Sequence, residues 1–248
     1  MKKLFTLILL LHTVSIYAQD DLMKMLTDSV PQKSAPVIAT FKGTRIISTH
    51  SNETVKQHNL DFRIGHRFGN IGAQSGGGVH SLYGFYNSSD ILISLEYGIT
   101  NRLMAAISTS KRSEAVQAFG KYKALIQTTD NKIPVSVTLF ANAVITPEKA
   151  SDDRYKNQTH RLSYCYQLII ARKFSDKLSL EILPTMLHRN FVLYKDDEND
   201  LYSIGGAGRW KFSRSSAVIV EYFYTFSKFR TNNKATPYYA PLGVGKQN

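Results

Sequence analysis

The chain has 248 residues, 43 % of them hydrophobic, with 31 Lys+Arg against 19 Asp+Glu and a formal net charge of +12. That length holds one large β-domain or two smaller ones. The single cysteine, Cys165, excludes an internal disulfide, and with it a disulfide-stapled secreted scaffold.

The basic excess would suit nucleic acid in a cytoplasmic chain. An export signal argues against that partner here. Lys2 and Lys3 form a positive n-region, and Leu4 to Val14 is an apolar run interrupted only by Thr6, His12 and Thr13. Cleavage is expected after Ala18, so residues 1–18 are read as a signal peptide. The run is too short to span a bilayer, which takes about 20 residues. No cysteine follows it, which argues against a lipid anchor. The mature chain remains basic, which fits anionic lipid headgroups or an anion-favouring lumen.

Residues 19–39 read as a periplasmic lead-in, broken by Pro31, Ser34 and Pro36. The domain proper is expected over 40–248. Thr40–Ile47 (TFKGTRII) is a first strand candidate, and Ser48 to His58 is polar. In Leu60–Phe68, Leu60, Phe62, Ile64, His66 and Phe68 share one face, with Asp61, Arg63, Gly65 and Arg67 on the other. Residues 69–89 are rich in Gly, Ser and Asn and carry an aromatic segment, Leu82 to Tyr86, read as folding back onto the sheet.

Asp90 to Ser108 reads as a hairpin. Ile91, Ile93, Leu95 and Tyr97 oppose Ser94 and Glu96, and Leu103, Ala105 and Ile107 resume the apolar face. Gly98, Thr100 and Asn101 supply turn chemistry, with Gly98 read as the residue that tolerates positive φ. Strands follow at Ala115–Gln127, Val135–Val144, Leu162–Lys173 and from Leu178 through Met186. Pro184 is read as a bulge or strand end. Gly205, Gly206 and Gly208 predict a weak, kinked strand over Tyr202–Phe212, and Ala217–Ser227 closes the series.

Short turns at Gly98–Arg102, Thr128–Lys132, Phe174–Lys177 and Phe212–Ser215 alternate with mostly longer polar connections. That alternation marks bacterial outer-membrane barrels, with short turns periplasmic and long loops outside. The fold class expected is an all-β, antiparallel up-and-down transmembrane barrel of about ten strands. Aromatic residues near strand ends (Phe68, Tyr97, Phe174, Phe212) suit the membrane interfaces. Alternation alone leaves a soluble exported barrel of lipocalin type, binding an apolar ligand, as the alternative.

The second face carries Asp61, Arg63, Arg67, Glu96, Lys121, Lys123, Arg161, Glu181, Arg209, Lys211 and Glu221. These are the candidate lumen charges. Seven are basic and four acidic, which permits either anion selection or an internal salt-bridge network filling a narrow barrel. The network is the favoured reading.

No catalytic, cofactor or metal residues are assigned. Gly76-Gly77-Gly78 lacks the Gly-Lys-Ser/Thr of a phosphate loop. Asp196 to Asp200 lacks the spacing of a calcium loop and reads as a solvated outer loop. The histidines show no His-Glu-x-x-His pattern, and Cys165 reads as a packed thiol. No Gly-x-Ser-x-Gly elbow is present, so a barrel-embedded hydrolase has no motif behind it. The expected function is an outer-membrane barrel with a structural, binding or small-solute passage role. Lipid is its partner, and no nucleic acid, cofactor or enzymatic activity is expected.

The stretches TFKGTRII (40–47), NLDFRIGHRFG (59–69), LYGF (82–85), YGITNRL (97–103) and YYAPLGVG (238–245) resemble a Bacteroidota family of β-barrel proteins of unknown function. The resemblance covers most of the mature chain. It implies an outer-membrane-type barrel and no assigned activity. Family members continue past PLGVG into further strands, whereas this chain stops at Asn248 without a terminal aromatic. The resemblance therefore implies a barrel lacking its closing strands. Parity agrees: if the Tyr97–Leu103 turn is periplasmic, a spanning Thr40–Ile47 would start on the wrong side.

Overall fold

The computed structural model describes residues 34–68, 79–83, 85–86, 88–111, 114–147, 155–227 and 242–245. The expected signal peptide, most of the expected lead-in, Gly76-Gly77-Gly78 and Tyr238 to Pro241 lie outside the described residues.

Ten strands form one sheet in sequence order, every neighbouring pair antiparallel. They are β1 (Leu60–Phe68), β2 (Ser88–Gly98), β3 (Leu103–Ser110), β4 (Val116–Leu125) and β5 (Ser136–Ile145). β6 (Leu162–Lys173), β7 (Leu178–Arg189), β8 (Asp200–Lys211), β9 (Ala217–Phe226) and the short β10 (Leu242–Gly245) complete it. Nine are long, between 8 and 12 residues. Among the described residues no ladder joins β1 to β10, so the sheet is not closed. No α-helix occurs among them either.

Strict period-2 alternation dictates two chemically opposite faces. One face is apolar and exposed: Phe62, Ile64, Leu95, Leu139, Ile182, Trp210 and Tyr222 all project from it. The other is polar and buried: Ser94, Glu96, Lys121, Thr138, Ser179, Glu181, Arg209 and Glu221. Met104, Ile169 and Leu183 add a few apolar side chains to this inner face.

Three turns share one design, which explains the loose repeat in the sequence. Ile99 and Thr100 N–H both donate to Leu103 O, at 2.9 and 3.0 Å. Phe174 and Ser175 repeat this on Leu178 O at 2.9 and 3.2 Å, and Phe212 and Ser213 on Ser216 O at 3.2 and 3.3 Å. In the first two, a hydroxyl tightens the turn. Thr100 Oγ1 accepts from Arg102 and Leu103 N–H at 3.1 and 2.9 Å, and Ser175 Oγ from Lys177 and Leu178 N–H at 3.2 and 3.1 Å. These turns, with the 126–135 connection, define the short-turn end. The strand ends Phe68, Ser88, Ser110, Val116, Ile145, Leu162, Arg189 and Asp200 define the opposite, long-loop end.

The structure departs from the sequence reading at four places. Thr40–Ile47 is not a strand; its backbone is a series of bends with a single bridge at Arg45. Pro184 neither ends nor shifts β7, which runs on to Arg189 in unbroken register with β8. Its ring points outward, and the missing N–H shows only as a gap in the β6 ladder between Thr185 and Ile182. β8 is likewise continuous through its glycines. Gly205 makes room for the Phe223 ring, which a Cβ would meet at 2.4 Å. Gly98 is needed for close approach, not for left-handed φ: a Cβ there would lie 2.0 Å from Lys56 O. The aromatic segment after β1 does return to the sheet, with Phe85 and Phe68 ring centroids 5.1 Å apart.

Candidate functional site

Residues 34–59, the stretch expected to open the sheet, instead run along its inner face. The segment starts at the β4–β5 connection. Val37 N–H donates to Gln127 O at 2.7 Å and Thr129 N–H to Ala35 O at 2.9 Å. Hydrogen bonds from Thr128 and from the Lys132 N–H hold the Asp130 carboxyl in this connection at a pKa of about 2. The segment returns to the same end at the β2–β3 turn. There His58 N–H donates to Gly98 O at 2.7 Å, and Gln57 N–H to Asn101 Oδ1 at 3.3 Å.

Between these anchors the chain folds into a small hairpin. Ser51 N–H donates to Thr44 O and Ile46 N–H to Thr49 O, both at 3.0 Å. Its two arms are joined by Glu53, whose Oε1 accepts from Thr40 N–H at 2.9 Å and whose Oε2 pairs with Lys123 Nζ at 3.0 Å. The sequence makes this segment suitable for such a place. Thr40, Thr44, Ser48, Thr49, Ser51 and Asn52 are small and hydrogen-bonding, and adjacent Ile46 and Ile47 break strand alternation.

The inner face holds this hairpin by buried charges. Glu221 on β9 receives three consecutive backbone N–H groups, from Ile47, Ser48 and Thr49, at 3.2, 3.0 and 3.2 Å. Lys121 on β4 donates to three backbone carbonyls, Thr44, Ser51 and Glu53, at 2.6, 3.1 and 3.0 Å. Glu96 on β2 accepts from Thr44 Oγ1 at 2.6 Å and lies 3.6 Å from Arg45 Nε. Thr138 on β5 donates to Asn52 O at 3.2 Å, and Thr49 Oγ1 to Gln167 on β6 at 3.5 Å. The His50 ring rests against Phe119 and Phe140, with centroids 4.7 and 4.2 Å away. One short hairpin thus touches β2, β4, β5, β6 and β9. A sheet can reach it from all these strands only by curling around it.

A buried ammonium and a buried carboxylate each cost several kcal/mol of desolvation unless their lone pairs and protons are met. Here each is met by three backbone groups. The same contacts satisfy the hairpin's own amides and carbonyls, which its lack of ladder partners would leave orphaned.

The candidate charges divide by position. Glu96, Lys121 and Glu221 grip the hairpin, and Lys123 pairs with Glu53. Glu181 and Arg209 are buried on the same face. Asp61 and Arg63 pair with each other at 2.9 Å, and Arg67 stands 3.6 Å from Asp90. Lys211 is half-buried on the inner face beside the last short turn. Arg161 is different: it ends a single helical turn outside the strands, donating to Thr146 O at 3.0 Å with Tyr155 beneath it. The sequence reading missed the partners on the hairpin, Thr44, Arg45, His50, Asn52 and Glu53. In the acidic loop, Asp197 pairs with Arg189 at 3.0 Å and Asp200 with His188 at 2.6 Å. Among the described residues no cluster of His, Cys, Asp or Glu is arranged to hold a metal ion.

The hairpin tip reaches the middle of β5, β6 and β9. Beyond it, toward the long-loop end, the tip and the inner face line a partly open cavity of about 540 Å³. Arg45, His50, Arg67, Asp90, Gln117 and Cys165 are among the residues that line it.

Buried charges inside and exposed apolar side chains outside invert the order of a soluble barrel, the lipocalin type included. The reversal is decisive at Lys121, 1 % exposed, against Phe62, 62 % exposed. Such a molecule has hydrocarbon as its outer solvent and is a membrane β-barrel domain. The family comparison agrees: residues 41–247 match the model of a membrane-bound beta barrel domain, DUF5777, and the chain belongs to that family. No curated protein and no solved structure matches it. The family is one of unknown function.

Proposed function

We propose that the protein is an outer-membrane barrel held shut by its own residues 40–53, and that it binds a small solute at the long-loop end. The observation that carries this is the hairpin's grip on five strands across the inner face. The signal peptide and the alternation of short and long connections support the outer membrane, with short turns periplasmic. On that orientation the hairpin rises from the periplasm and the cavity lies on its outward side. A cavity of about 540 Å³ is within the size range of small-ligand sites. Lipid is the partner of the outer face; nucleic acid, a cofactor and catalysis have no part in this reading.

Planar-bilayer recording tests it. Wild-type protein is expected to give no sustained conductance. A variant with residues 40–53 replaced by Gly/Ser of equal length, so that β1 stays tethered, is expected to give discrete channels. A steady wild-type conductance, or silence from a folded replacement variant, would sink the reading.

A further inference from the structure

Arg45 and Arg67 line the same cavity from opposite origins, one on the hairpin and one on β1. Each has a carboxylate nearby but at 3.6 Å, Arg45 beside Glu96 and Arg67 beside Asp90. Those distances are ion pairs and not hydrogen bonds. Arg45 has nine-tenths of its side chain buried, and its Nη2 donates to no group among the described residues. A buried guanidinium nitrogen without an acceptor carries an uncompensated desolvation cost. Asp90, the one acidic residue among the described lining, is already engaged: Ser110 Oγ lies 2.9 Å from both of its oxygens and shares its one proton between them. The Ser48 hydroxyl and the Gln117 amide are further neutral groups in the lining.

Resting on the closed-barrel reading above, we propose that this cavity is an oxyanion site, taking a small solute whose recognised group is a carboxylate, sulfate or phosphate. Guanidinium forks suit such groups because two parallel N–H bonds match two oxygens. The cavity is larger than a bare ion needs, so a small organic acid fits it. The hairpin supplies Arg45 and forms the floor, so the segment that shuts the barrel also completes the site.

The chain's only cysteine lines the cavity, so the wild-type protein carries its own reporter. Detergent-folded protein is treated with anionic 2-sulfonatoethyl methanethiosulfonate or cationic 2-(trimethylammonium)ethyl methanethiosulfonate. Each forms a mixed disulfide with Cys165 and releases methanesulfinate, read by intact mass. Rates are normalised to those with free cysteine. The anionic reagent is expected to be favoured about tenfold at low ionic strength. The preference should collapse in 1 M NaCl, where the Debye length is about 3 Å. Inorganic phosphate should slow the anionic reagent. Arg45→Gln and Arg67→Gln should each reduce the preference, while Lys211→Gln, at the opposite end, should leave it unchanged. Arg67→Gln leaves the hairpin intact and guards against an unfolded Arg45 variant. No preference, a cationic preference, no reaction with either reagent, or a preference kept in both arginine variants would overturn the proposal. Failure of the closed-barrel reading shows separately, as steady wild-type conductance.

Discussion

Glu221 and Lys121 carry opposite charges and solve the same problem. Each brings a full charge into a confined interior, and each is answered by backbone dipoles of a segment that needs partners of its own. Removing either leaves the other side of the bargain buried and unmet. Glu221→Ala is therefore expected to destabilise the folded barrel by about 3 kcal/mol, the scale of losing charge-assisted bonds to buried amides. Glu221→Gln, which keeps an acceptor oxygen, should lose roughly half as much. The urea midpoint of the folded electrophoretic form measures both, and equal midpoints for all three proteins would show that the hairpin is not held at this point. Period-2 alternation was enough to put Glu96, Lys121 and Glu221 on one face. Their partners were illegible because Thr44 to Glu53 has no period, and a residue's neighbour across a barrel leaves no mark on local pattern. Gly98 shows the same limit. Its place in a turn was readable, while the reason for it, the Lys56 carbonyl pressed against it, belongs to a distant segment in the folded chain.

At the scale of elements, the hydroxyls of Thr100 and Ser175 each hold two turn amides. Thr100→Ala and Ser175→Ala should each cost about 1 kcal/mol, the usual worth of a hydrogen bond to a backbone group. Equilibrium unfolding in urea checks this, and unchanged midpoints would mean that backbone bonding alone fixes these turns. The nine long strands were legible because an apolar residue every second position is a strong local signal. Two elements misled. Pro184 looked like a strand end but faces outward in a continuous β7, since losing one ladder bond does not stop a strand that is paired on its other side. Thr40–Ile47 looked like a strand because Thr, Phe, Arg and Ile have high β-propensity or alternate briefly. Its lack of ladder partners is a tertiary fact, and so is the parity problem it removes. With that segment inside, β1 becomes the first spanning strand and begins at the short-turn end.

For the whole molecule, burial decides what alternation could not. The outer apolar face makes a direct prediction about its solvent. Ile182 projects outward at mid-strand, 53 % exposed. Ile182→Arg should destabilise the bilayer-inserted protein by about 2–4 kcal/mol, while Trp210→Arg, near a strand end, should cost about 1 kcal/mol or less. Refolding titrations into lipid vesicles measure the difference, and equal small costs at both depths would place this face in water. The hairpin's path has one more consequence. Because residues 34–59 leave and rejoin the wall at the same end, this stretch is tucked into the sheet's concavity and not threaded through it. It can be drawn back along the axis without parting any two strands. What resists withdrawal is a set of lateral contacts to Glu96, Phe119, Lys121, Lys123, Thr138, Phe140, Gln167 and Glu221, together with the two tethers beside Thr128 and Gly98. Insertion and retraction are thus topologically free, and the wall itself can stay intact through both.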